Sequence, residues 1–591
     1  MTQGSRLSQH GPALAGFVLF AVAALLALSV DLPRAGYGIK SDEATYVATA
    51  LSLAYDGDLS FERRDLERFE ALYHNGPEGI FLKRGKQLRI RGDRAFPFVH
   101  LVKSPDPDAN RLYFGKAMIY PAVAAPFVRV LGLNGFLLLN VCLLAVVGIC
   151  GYLFLAARSS SLVATLATTG FLGASVLPVY GVFLMPEIFN FSCVFIAYFF
   201  WLYKNVSANA RLTGGWTDLL AAVLLGMATY SKPLPIALLV APLVCLAWLR
   251  RHWAWGVAIG VVAVGAASAL FCLTAAASGE FNYQGGERKT FYGRFPFDGP
   301  DATWERRGLA SITDGEAIGD VLTHPELPAR FARNVEYFLV GRHFGFIPYF
   351  FPGVMAIMTW LGSRERRDAW RVLTFLSFVL SAIVLLLVLP FTWSGGGGPP
   401  GNRYLLSVYA TLFFLISPIE STVPGMLAWT CGALFTAKML VSPFVAAGSP
   451  WLTTEKGLAR ALPVELTMAN DLPVMLDPSR SHILYGHDPA LLLYFLDQHA
   501  FPPEPNGMWV SGIGRADVLV RSVDPIEHLV VEAESPIRTV LTVSMGRGTF
   551  SAPIEPGKIA TFNLPASGAR GLRSYAYLLT ARSSQAFVPH M

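Results

Sequence analysis

Charge is scarce in this chain of 591 residues: Asp, Glu, Lys and Arg make up 15 % of it, while 53 % is hydrophobic. A soluble globular chain carries about 25 % charged residues, so this composition argues against a wholly water-exposed surface and predicts that much of the chain faces lipid. Cysteine is also sparse. The six cysteines (Cys142, Cys150, Cys193, Cys245, Cys272 and Cys431) all lie inside apolar runs and none forms a CxxC pair. That argues against a cysteine zinc site and a disulfide framework, and leaves the six as small hydrophobes. The net charge of +6 is small and dispersed. No nucleic-acid motif accompanies it, so no nucleic-acid partner is expected. A P-loop and internal repeats are missing as well.

Long hydrophobic runs are abundant. A spanning helix needs about 20 mostly apolar residues, and eleven stretches qualify: roughly 12–30, 134–156, 161–181, 185–203, 216–232, 233–249, 254–276, 344–362, 371–391, 404–418 and 424–446. The first is longer than the h-region of a cleaved signal peptide and is read as an anchor. The stretch 116–133 contains two prolines, with Lys116 at one end and Arg129 near the other. It is read as an interfacial or re-entrant helix. With eleven spans and a cytoplasmic start, the cytoplasmic loops hold Arg158; Lys204 and Arg211; Arg250 and Arg251; and Arg364, Arg366, Arg367 and Arg371. Short loops rich in Lys and Arg stay in the cytoplasm. A twelfth span at 116–133 would turn every one of them outward.

Three hydrophilic segments then face outward: 31–115, 277–336 and the tail from about 447. The first gathers Lys83, Arg84, Lys86, Arg89, Arg91 and Arg94, which long loops tolerate. Two readings of this cluster stand. FLKRGKQLRI alternates as a solvated hairpin would, and its cations suit an anionic lipid or a sugar phosphate. The tail changes character: ADVLVRSV, HLVVEAES, RTVLTVSM, KIATFNL and SYAYLLTA are short, alternating and rich in β-branched residues. The expected organisation is a transmembrane catalytic domain over 1–450 and an outer β-rich, sandwich-like domain over 451–591.

Just after the first span, SDEATYVATALSLAYDGDL (41–59) opens a helical apolar pattern with Ser41, Asp42 and Glu43. Taken alone, this is ordinary helix capping, with acids favouring the helix dipole. Its place at the mouth of a membrane domain adds a catalytic reading. The DE pair after a first span resembles the GT-C glycosyltransferases, nearest to the lipid A aminoarabinose transferases and protein O-mannosyltransferases. Three further segments are similar in order and spacing: YFGKAMIYPAVAAPFVRVLG (113–132), VFLMPEIFNFSCVFIAYFFW (182–201) and GMATYSKPLPIALLVAPL (226–243). The resemblance covers about the first 250 residues.

It implies a polytopic GT-C fold with outer-face juxtamembrane helices, a polyprenyl-phosphate-linked sugar donor and inversion at the anomeric carbon. The acceptor would be a glycan, lipid or protein. On matching positions, Asp42 would be the general base that takes the acceptor's hydroxyl proton. Glu43 would bind the acceptor, or be the base if the pair is reversed. Lys116 would hold the donor phosphate, where a fixed cation stabilises the charge of the leaving group. Its bland reading is a lysine snorkelling to the interface. Glu187 matches the family's second acid, which is often Asp, and Lys232 matches a lysine with a structural or phosphate role. No cofactor is required, though Asp42, Glu43 and Glu187 are hard oxygen ligands suited to a divalent metal.

Beyond residue 250, FTWSGGGGPPGNRYLL (391–406) stands out. Its glycines permit close backbone approach to a ligand, and Arg403 can fork onto a phosphate. A flexible turn with Trp393 and Tyr404 as interfacial anchors is the alternative. His343 reads as a satisfied core histidine. The WWDYG string of oligosaccharyltransferases is missing. No DXD motif stands in a suitable place: the nearest string, DPD at 106–108, lies in a proline-rich part of the outer segment. Two rival functions remain: a lipid-linked glycan transporter or flippase, and a non-catalytic polysaccharide-assembly scaffold. Transporters place ionisable residues near the midplane in broken helices, whereas here they gather toward one face. The expected location is a bacterial inner membrane, with the catalytic loops and tail facing the periplasm.

Overall fold

A computed structural model describes residues 4–32, 39, 41–94, 96, 98–105, 111–207, 212–284, 287–310, 323–474, 483–484, 491–501, 504, 507–546, 548–572 and 574–587. DPD 106–108 and Arg211 lie outside them. The chain divides into two compact units. The first comprises Met1–Val321, Pro352–Val384 and Leu405–Cys431; the second comprises Leu322–Phe351, Leu385–Tyr404 and Gly432–Met591.

The protein is mostly helical. Among the described residues, three helices, Asn134–Ala156, Trp253–Ser278 and Ala369–Val388, are long and apolar enough to cross a membrane. Eleven such helices were expected, and the difference has local causes. Glu187–Leu202 and Trp216–Ser231 have 16 residues each, a rise of about 24 Å against a hydrocarbon core of ~30 Å. Elsewhere prolines and glycines interrupt the run. The stretch 161–181 breaks after Ser161–Gly173 and resumes as Leu177–Val182 with Pro178 in its first turn. The stretch 233–249 is three pieces, with non-helical Leu234 between prolines. The apolar part of the first run is Leu14–Ser29, and the 116–133 stretch forms the 13-residue helix Ile119–Leu131.

In the first unit, the hydrophilic segments 31–115 and 277–336 both contribute to one five-stranded antiparallel sheet. Its order is Ser60–Phe61, Leu112–Phe114, Ile80–Arg84, Lys289–Phe291 and Leu309–Ala310. Loop contacts fall into two sets. Arg158 and Arg371 share the Glu365 carboxylate, and Arg250 donates to Asn205 at 3.3 Å. The 83–86 stretch, in contrast, reaches Glu280. Each of these contacts joins loops expected on the same face.

In the second unit, a seven-stranded antiparallel sheet is built mainly from Leu491–Phe495, Ala516–Ser522, Thr539–Met545, Gly548–Ile554 and Tyr575–Ser583. The pair His528–Ala533 and Ala560–Pro565 packs against it. Phe562 and Leu564 from that pair share a core with Val518, Val520, Val543 and Leu579. Alternation supplies this core without a cross-link, as period-two patterning should.

Candidate functional site

The helix Asp42–Tyr55 starts within the 31–115 segment, and its first residues are held unusually. Ser41 sits at φ 49°, ψ −108° and makes no side-chain cap bond. A positive φ is strained for a residue with a Cβ. The Ser41 amide donates to the Glu78 carbonyl at 2.6 Å, which ties the helix start to the turn before strand Ile80–Arg84. One turn on, the Thr45 hydroxyl accepts from the Phe81 amide at 2.9 Å. Ser41 thus makes no side-chain cap, while Asp42 and Glu43 stand in the first turn of the helix and carry further contacts.

Asp42 pairs with Lys116 at 2.6 Å, their side chains 15 % and 9 % exposed. Lys116 arrives from the neighbouring strand Leu112–Phe114, held because the Gly115 amide donates to the Phe81 carbonyl at 2.9 Å. Two cations approach the Phe81 ring: the Lys116 ammonium is 4.6 Å from its centre and the Arg288 guanidinium 4.9 Å. Arg288, from the second outer segment, had no motif to announce it. Its place follows from the pairing of Ile80–Arg84 with Lys289–Phe291.

Glu43 is buried and accepts the Leu184 amide at 2.8 Å, just before the helix that Glu187 begins. An acid in a first turn faces the positive end of the helix dipole. Glu187 is 1 % exposed and pairs with Lys232 at 2.7 Å. The Tyr120 hydroxyl feels the charges of Glu187 and Glu43. Lys232 stands at a break between Trp216–Ser231 and the proline-rich pieces after it, with φ −141°. Tyr283 donates to the carbonyls of Tyr230 and Ser231 that the break leaves open, the latter at 3.0 Å.

One turn beyond Glu187, Asn190 is fully buried, and neither atom of its amide has a hydrogen-bond partner among the described residues. The same holds for the Ser231 hydroxyl beside Lys232. Unsatisfied buried polar groups are rare and call for a reason, such as a ligand. No group of three or more His, Cys, Asp or Glu among the described residues could hold a metal ion. Asp42 and Glu187 instead face ammonium groups, and Glu43 an N–H.

Arg403 lies in the second unit. Gly395, Gly396, Gly397 and Gly398 all have positive φ, a run that only glycine takes without strain. The carboxylate these glycines approach is the chain's own. Asp471 accepts the Ser394 hydroxyl at 2.9 Å, and a Cβ on Gly396 would stand 3.6 Å from it. Burial pushes the Asp471 carboxyl up to about 6, against the Thr392 and Ser394 hydroxyls and the Arg403 charge. Asp471 was not anticipated from sequence. Trp393 is no interfacial anchor: it is fully buried, edge-on to Phe338 and Phe344. His343 is buried too, its Nδ1 2.8 Å from Glu465.

No family model, curated protein or solved structure matches this chain.

Proposed function

We propose that this chain is a membrane glycosyltransferase of GT-C type, moving a sugar from a polyprenyl-phosphate donor to an acceptor hydroxyl on the outer face. The observation that carries the reading is the Asp42–Lys116 pair, partly open at the outer end of a helical unit. A base and a phosphate-binding cation in contact suit this chemistry. The donor phosphate draws Lys116 toward itself and frees Asp42 to accept a proton. The acceptor oxygen attacks C1, its proton passes to Asp42, and the bond to phosphate breaks with its electron pair on the phosphate. Arg288, also within 4.9 Å of the Phe81 ring centre, supplies a second cation for that charge.

Asn190 and Ser231 offer open hydrogen-bonding groups near the Glu187–Lys232 pair along their own chains. They suit the hydroxyls of the acceptor, and Glu43, held by the Leu184 amide, is assigned to the acceptor as well. The shorter apolar helices share the bilayer with the three long ones in this reading. It is supported by the loop contacts, which join cytoplasmic loops to one another and outer segments to one another. The second unit's β-rich tail then faces the periplasm of a bacterial inner membrane.

The test is transfer of labelled sugar from a polyprenyl-phosphate donor by the purified protein, wild type against Asp42→Asn. No transfer by the wild type with any donor sugar would sink the proposal. One observation favours a second reading, a lipid-linked glycan flippase: Lys232 sits where a helix breaks, as transporter sites do. Donor movement across proteoliposomes that persists in Asp42→Asn would choose it.

A further inference from the structure

The cationic stretch of the first outer segment is two structures. Lys83 and Arg84 belong to the central strand of the five-stranded sheet, whereas Lys86–Gly92 forms a separate ribbon with Val99–Pro105, paired from Lys86↔Pro105 to Gly92↔Val99. Among the described residues, this ribbon pairs with no other strand. The Asp93 amide donates to the Phe98 carbonyl at 2.8 Å and closes the tip.

The tip is apolar and basic at once. Phe96 is 87 % exposed and Phe98 62 %, edge to face at 6.1 Å, with Val102 exposed behind them. Two open phenylalanines on an isolated ribbon are not stable in water unless something covers them. The cations sort by position. At the base, Lys83 and Lys86 meet Glu280, and Arg84 meets Glu305. At the tip, Arg91 and Arg94 are exposed and pair with no carboxylate among the described residues, while Asp93 lies 3.5 Å from His100.

The base is fixed to the end of an apolar helix. Gly279 caps Trp253–Ser278 at φ 75°, and a Cβ there would fall 1.5 Å from the Lys86 carbonyl oxygen. Lys86 also bonds Glu280 at 3.1 Å. That helix is one of the three long enough to cross a bilayer, so its end marks the level where hydrocarbon gives way to headgroups. Seven residues of ribbon extend about 23 Å from there, enough to lie along the interface.

We propose that this hairpin docks onto the anionic lipid surface of the leaflet in which the protein sits. Phe96 and Phe98 enter the boundary between headgroups and acyl chains, and Arg91 and Arg94 bind lipid phosphates. The proposal rests on Trp253–Ser278 spanning the membrane and is independent of the transferase reading.

The test uses the full chain in lipid nanodiscs with Phe96→p-benzoylphenylalanine, irradiated and weighed intact. The expected product is an adduct of one phospholipid, favoured in discs containing phosphatidylglycerol over discs of phosphatidylcholine alone. Arg91→Gln with Arg94→Gln should lower that yield by about fivefold or more. An adduct with protein, no adduct at all, or a yield indifferent to lipid charge overturns the proposal. The same label at exposed Ile559 of the tail should give no lipid adduct, which guards against disordered insertion.

Discussion

Two carboxylates, one in each unit, meet their cations in opposite ways. Asp517 is 1 % exposed and faces Arg342 at 2.7 Å, Arg460 at 3.0 Å and Arg515 at 2.8 Å. Burial pushes its carboxyl up, but the three guanidiniums outweigh that and hold it below the usual range. Asp42 pairs with a lysine and keeps 15 % of its side chain open. Guanidinium forks in a dry setting are committed, because removing one member strands the others. An ammonium on a flexible stem at an opening can change partners. The same attraction builds a fold in one unit and leaves exchangeable chemistry in the other.

The sharpest way to break this contrast is Asp42→Asn. Transfer should fall about 10²–10⁴-fold with the melting temperature unchanged, measured with a labelled donor. If Glu43→Gln is the dead variant instead, the roles of the two acids exchange. Asp517→Asn should do the reverse, destabilising the second unit by about 3–5 kcal/mol. A lowered folded pKa gives stability that is present above the ordinary value of 3.8 and lost as pH falls through the folded value. The second unit of the wild type should therefore loosen in acid, read by proteolysis of the tail. An Asp517→Asn protein as resistant as wild type would end the comparison.

Lys116→Met should slow turnover about 10²–10³-fold and weaken donor binding. Arg288→Gln should cost roughly tenfold, one charge-assisted contact's worth. Unchanged donor affinity in both would return Lys116 to snorkelling. A separate effect, on stability and not on turnover, belongs to Asp65, whose carboxyl burial lifts to about 7 against the Glu62 amide, helped by Asp56 and Asp58. A raised acid opposes folding once ionised, so this penalty is absent below 3.8 and full above about 7. Thermal stability of the first unit should rise as pH falls from 8 toward 5, and Asp65→Asn should flatten the slope.

Much of the helical content was legible, since apolar runs announce themselves. Where each run stops was not. Hydropathy averages over Gly173 and over Pro233 to Pro235, yet these residues decide whether 161–181 and 233–249 are single helices. The strands of the tail were legible through alternation, which the core of Val518, Val520 and Val543 repeats. At the site, Asp42, Lys116, Glu187 and Lys232 could be picked out singly, but not that they pair two by two. Arg288 and Asp471 escaped because their neighbours, Phe81 and Ser394, are far away in the chain. Pairings at that separation leave no periodic mark.

The hydroxyl of Tyr283 has a consequence of its own. It belongs to a polar segment, yet it grips the frayed end of an apolar helix one residue before Lys232. The hydroxyl thus ties the 277–336 segment to the helix end on which Lys232 sits, so a displacement of the one would act directly on the other.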